Sequence, residues 1–223
     1  MGPLAQSVRE LKIPPDLSAF TPPATENTKF GGRAYIQAEY FSQKTGFPVH
    51  HYLEAIASAR EEIIIANAYF LPGIRFRRAL GNAAGRGVRV VLLLQGRVEY
   101  MLMHYASRAL YGTLLDAGVE IHEYHKSFMH AKVAVIDGSW ATVGSSNIDP
   151  FSLTLAREAN IVVVDPVFAG ELRTSLLQAI KIGTIHVAKT SWHRQSLWKK
   201  LPIWLAYSVV RVLLGMVGYA EKH

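Results

Sequence analysis

Cysteine is absent from the 223 residues, so no disulfide framework holds this chain together, and a reducing compartment suits it. Its nine histidines are scattered and never spaced as metal-ligand clusters, so neither a metal nor a cofactor is expected. Met1 to Ile13 lacks the apolar stretch of a secretory signal, and Pro14-Pro15 follows it, so no leader is expected there. No internal repeat is present. Acidic residues are scarce at one end: from Lys189 to His223, six Lys/Arg face Glu221 alone. The net charge of +7 therefore belongs mainly to the tail, because residues 1–188 carry 18 basic against 16 acidic side chains. A near-neutral body has no basic groove to advertise, and a nucleic-acid partner is not expected.

What remains is rich in apolar residues. Half of the chain is hydrophobic, enough for the core of one ordinary domain, alone or with appendages. Residues 1–30 are rich in Pro, Thr, Ser and Ala and read as an extended linker or arm. From Gly31 onward, strand and helix signals alternate. Gly31 to Ala38 reads as a strand, His50 to Ala59 as a helix, and Ile63 to Ala66 as a strand buried on both faces. A helix opened by Arg75, Arg77 and Arg78 ends at Gly85-Arg-Gly87, before a strand from Val88 to Leu94. A helix from Tyr100 to Ala117, a strand from Val119 to Tyr124 and a helix from Val167 to Ile182 complete the pattern. Strands alternating with helices imply an α/β sandwich with a largely parallel sheet over residues 31–188, followed by a basic, Trp-rich tail over 189–223.

The chemistry-bearing stretch is Phe128 to Asn147. It reads as two strands, Met129 to Ile136 and Trp140 to Val143, around an Asp137-Gly138 turn. His130 and Lys132 stand two apart, on one face of the first strand. Two solvated polar residues on a half-exposed strand would fit that pair, and so would a site. The surrounding residues favour the site. His130-x-Lys132, then Asp137, then Gly144-Ser145-Ser146-Asn147, with Glu158 beyond, resembles the His-Lys-Asp signature of the phospholipase D superfamily. The residue types suit a phosphodiester, which is anionic throughout and needs a fixed cation and convergent donors. Lys132 and Asn147 fill those roles, with Ser145 as a further donor. An imidazole can attack phosphorus directly, which makes His130 the candidate nucleophile. By resemblance Glu158 orients it. Asp137 is a signature member in the family, although a turn aspartate explains it almost as well.

The resemblance runs from about His50 to the C-terminus and is to the second half of a bacterial cardiolipin synthase, closest to the B type. It implies the phospholipase D-like α-β-α sandwich. It also implies transfer of a phosphatidyl group from phosphatidylglycerol through a phosphohistidine, at the cytoplasmic face of the bacterial inner membrane. Asn67-Ala-Tyr-Phe-Leu-Pro-Gly73 resembles a Tyr-Phe-x-Pro segment of those enzymes, which makes Tyr69 a candidate pocket wall; an aromatic plug under a turn fits equally. The family assembles one site from two signatures, whereas only one occurs here. A second half, or a homodimer mate, is the expected partner. A phospholipase D-type phosphodiesterase, a homodimeric nuclease and a silent half are the other readings.

The tail bears on the same question. Trp192, Trp198, Trp204, Lys199 and Lys200 accompany an apolar run from Leu201 to Tyr219, with Ser208, Arg211, Gly215 and Gly218 on one narrow stripe. About 20 apolar residues cross a bilayer, and a central arginine opposes a full span. A helix in the membrane interface is expected, and packing against a missing half is the alternative.

Overall fold

The computed structural model describes residues 33–39, 47–149 and 158–216, and the side chains of 51–149 and 158–213. The arm expected over residues 1–30 lies outside them. Eight strands form one sheet: β1 (Arg33–Glu39), β2 (Glu62–Asn67), β3 (Arg89–Gln95), β4 (Glu120–Tyr124), β5 (Lys132–Ile136), β6 (Trp140–Gly144), β7 (Glu158–Val164) and β8 (Thr184–His186). Their spatial order is β1-β7-β6-β5-β2-β3-β4-β8. The helices are α1 (Phe47–Ser58), α2 (Ile74–Gly85), α3 (Met101–Arg108), α4 (Tyr111–Asp116), α5 (Pro166–Gly183), α6 (Lys189–His193) and α7 (Leu197–Met216).

The α/β class is as expected, but the sheet is not largely parallel. Only β2–β3 and β3–β4 pair in parallel, and the other five pairings are antiparallel. Parallel pairing requires a crossover that returns the chain to the same end, and helices supply one only between β2, β3 and β4. β5 and β6 are instead joined by a tight turn. Asp137 and Gly138 take left-handed φ values of 49° and 58°, the sign pattern of a type I′ turn, closed by Ser139 N–H to Ile136 C=O at 3.2 Å.

Two further departures have local causes. The helix expected over Tyr100 to Ala117 breaks at Ala109-Leu110 into α3 and α4. β8 is a three-residue edge strand on β4, too short to leave a period-2 pattern.

Alternation along the strands divides the core in two. Ile63, Ile65, Leu92, Ile121 and Ala134 pack under α1 to α4. Ile64, Ala66, Val91, Leu93, Val133 and Val135 pack under α5 through Ala169 and Leu176. Continuous apolar runs such as Ile63 to Ala66 follow from having both faces covered. α5 starts cleanly because Asp165 accepts from Phe168 N–H at 2.7 Å, with Pro166 in its first turn.

The described part of the tail, residues 189–216, is largely helical and joined to the body, and Gly218 of the expected stripe lies outside the described residues. Trp192 of α6 is 6% exposed and packs on Tyr111 at 5.1 Å, so this tryptophan belongs to the core. α7 packs along α3 through Ile203, Ala206 and Val210, so its buried stripe is apolar, while Ser208 and Arg211 are exposed. No helix among the described residues is long and apolar enough to cross a membrane.

Candidate functional site

Register brings Lys132 and Gly144 to one end of the sheet. Lys132 lies opposite Asn67, and Gly144 opposite Asn160. The Val133–Val143 pair sets Lys132 level with Gly144. One row across four strands therefore reads Asn160, Gly144, Lys132, Asn67, all on one face. Glu158 opens β7 two residues before Asn160, on that same face.

Lys132 is 7% exposed, and its Nζ donates to His130 C=O at 3.0 Å. Burial pulls this ammonium below its ordinary pKa, against the attraction of Glu158, Glu99 and Asp149. One cation thus stands in the field of three carboxylates. His130 itself precedes β5 instead of lying within it. Ala68 N–H bonds Ala131 C=O at 3.1 Å, which ties the backbone beside His130 to β2 while His130 stays exposed.

The segment after β6 is stitched across the row. Asn147 Oδ1 accepts from Tyr69 N–H at 3.4 Å, which leaves the carboxamide nitrogen as the donor end. Ile148 N–H bonds Asn67 Oδ1 at 3.3 Å, and Leu71 N–H bonds Ile148 C=O at 2.8 Å. Asn160 Nδ2 donates to Ser146 Oγ at 2.9 Å. Position 144 must be glycine, because a Cβ there would run into the Asn160 side chain and the Ala159 carbonyl. The Tyr69 hydroxyl donates to Glu99 Oε2 at 2.6 Å. Burial, and then this carboxylate, push its pKa up.

His130, Lys132, Asn147, Glu158 and Tyr69 accordingly share one end of the sheet. Asp137 does not. It closes the far end of β5, roughly 16 Å from Lys132 at about 3.3 Å per residue. There its carboxylate accepts from the N–H groups of Arg60, Glu61 and Glu62 at 2.8, 2.9 and 3.0 Å. Burial raises its pKa, but those three donors outweigh it and hold Asp137 below the usual carboxylate value. Asp137 clamps the hairpin to the start of β2, and the catalytic place expected for it is corrected.

Ser145 is also engaged elsewhere. Its hydroxyl accepts from Ala159 N–H at 3.0 Å and donates to Ala159 C=O at 3.4 Å. Among the described residues no hydrogen bond or ion pair joins Glu158 to His130. Lys132 is the group whose pKa registers Glu158. Sequence reasoning missed Asn67, Asn160, Asp149 and Glu99. A buried asparagine at the end of an apolar strand was the available signal for Asn67, and Glu99 had none.

A family profile described as "Cardiolipin synthase, PLD-like domain" matches residues 52–180. Cardiolipin synthase B of Escherichia coli (strain K12) is 42% identical over 173 residues, 78% of this chain and 42% of that protein. The chain thus spans less than half the length of that relative. Two solved structures share the fold. A phospholipase D family member, Nuc from Salmonella typhimurium, superposes with a TM-score of 0.58 at 23% identity, over 70% of this chain and 99% of that one. Phosphatidylserine synthase of Haemophilus influenzae Rd KW20 superposes with a TM-score of 0.61 at 12% identity, over 84% of this chain and 47% of that one.

Proposed function

Because the chain belongs to the phospholipase D-like domain family of the cardiolipin synthases, we propose that it is one His-Lys-Asp half of a phosphatidyltransferase acting on phosphatidylglycerol. The observation that carries this reading is the row at the sheet end, with exposed His130 on a fixed backbone beside buried Lys132 and the Asn147 carboxamide. His130 attacks phosphorus, the P–O bond to the headgroup glycerol breaks, and the leaving oxygen takes a proton from an acid on a second half. A second lipid's glycerol hydroxyl then attacks the phosphatidyl-histidine. The P–N bond breaks, the hydroxyl proton passes to the same acid–base group, and His130 is freed.

Lys132 and Asn147 hold the phosphoryl oxygens, where preorganised charge and donors stabilise the transition state most. Glu158 lies on the same face and balances the charge of Lys132. Tyr69 walls the pocket with Glu99. The single His-Lys-Asp signature supports a second half, or a twin of this chain, as supplier of the acid. A lipid substrate puts the protein at a membrane surface, peripherally on the cytoplasmic side of the bacterial inner membrane. The exposure of His130 also supports water as a competing acceptor, which would make the same site a phospholipase D.

His130→Ala tests the reading. In a paired, two-signature assembly phosphatidyl transfer should vanish while the circular dichroism spectrum of the chain stays that of the parent, and retained transfer would remove His130 as the nucleophile.

A further inference from the structure

α7 is apolar on nearly every side, yet it is buried along one stripe only. Ile203, Ala206 and Val210 pack towards α3. On the other sides Leu197 is 83% exposed, Trp198 82%, Leu205 64% and Trp204 54%, with Leu201 and Val212 exposed alongside. A helix that is hydrophobic all round is ordinarily enclosed, and an exposed apolar patch of this extent marks an interaction surface. Charge identifies the occupant. From Lys189 to Met216 the chain carries Lys189, Arg194, Lys199, Lys200 and Arg211 and not one carboxylate. Tryptophans beside lysines along an apolar face suit the headgroup region of a bilayer, where the indoles enter the interface and the ammonium groups meet lipid phosphates.

We infer that the outer face of α7 is a docking surface for an anionic lipid bilayer, on which the helix lies flat without crossing. α3, along which α7 packs, begins beside Tyr69, whose ring Tyr100 meets at 5.8 Å, and Tyr100 and Met101 are exposed there. Phe128, also exposed, stands two residues before His130. Docking through α7 therefore brings an apolar rim, and His130 behind it, to headgroup level. This orientation rests on the lipid-directed reading of the site; the docking itself is measured without turnover.

The experiment is flotation of the full purified chain with vesicles of phosphatidylglycerol or of phosphatidylcholine, with oligomeric mass measured on the same sample. The chain should float with phosphatidylglycerol vesicles and much less with phosphatidylcholine, and high salt should weaken binding. Trp198→Ser/Leu201→Ser and Lys199→Glu/Lys200→Glu should each lower the partition coefficient at least tenfold. Val167→Ser, an exposed apolar site on α5 across the sheet, should leave it unchanged. Brominated lipid should quench the fluorescence of the parent, and Trp198→Phe/Trp204→Phe should remove that quenching, since of the two tryptophans left Trp192 is buried and Trp140 packs on Tyr52 against the core. Failure to float, or partition indifferent to the α7 variants, would overturn the inference. So would a parent dimer that ignores vesicles and dissociates on α7 substitution, since the face would then join protein to protein. Vesicle binding without transfer by a sample whose mass shows it paired with a second His-Lys-Asp half would leave the docking surface standing and count against the proposed reaction alone.

Discussion

Lys132 and Asp137 belong to one signature and face opposite energetic problems. Lys132 is a cation drawn out of water, with its pKa lowered by burial, so the folded chain holds that proton less tightly than the unfolded chain does. Stability then rises with pH up through the interval between the depressed value and the ordinary lysine value, and the cost is fully present below that interval. In denaturant titrations Lys132→Met should therefore gain stability relative to the parent most at neutral pH, with the gap narrowing towards pH 10, while transfer is lost. Asp137 has the reverse sign. Its carboxylate is favoured in the fold, so it stabilises above the ordinary aspartate range, and that contribution disappears as pH falls through the depressed folded value. Asp137→Ala should cost about 1–3 kcal/mol by denaturant titration at pH 7, through lost charge-assisted bonds to backbone. Restored to a two-signature assembly, the variant should keep transfer once folded. Loss of transfer from a well-folded Asp137 variant would return it to the chemistry. Residue types alone could not separate these roles, because the sequence shows a spacing, and only the strand length between Lys132 and Asp137 puts them at opposite ends.

Individual elements repeat the theme of register doing the positioning. Asn160 and Gly144 lie opposite each other, and the carboxamide fills the space that a side chain at 144 would need. Gly144→Val should therefore displace Asn160, release Ser146 and lower transfer together with stability, as activity and melting measurements on one sample would show. α5 depends on its cap, and Asp165→Ala should cost about 1 kcal/mol with no change in substrate KM. The long runs of β2 and β3 and the span of α5 were legible because apolar continuity and helical spacing persist over many residues. The division between α3 and α4, the short β8 and the antiparallel majority were not. Those depend on where the chain turns back against a neighbour, which period-2 and period-3.6 patterns do not encode.

For the molecule as a whole, the described residues present a sheet end where buried Lys132 lies in the field of Glu158, Glu99 and Asp149, near the exposed His130. The single His-Lys-Asp signature in the sequence is what motivates the proposed partner. The most direct measurement is phosphatidyl transfer from phosphatidylglycerol on detergent fractions resolved by mass. Transfer is predicted only in fractions where the chain is paired, with a twin or with a second His-Lys-Asp half, and should be absent from the monomer. Transfer by the monomer fraction at a rate matching the paired one would contradict the account.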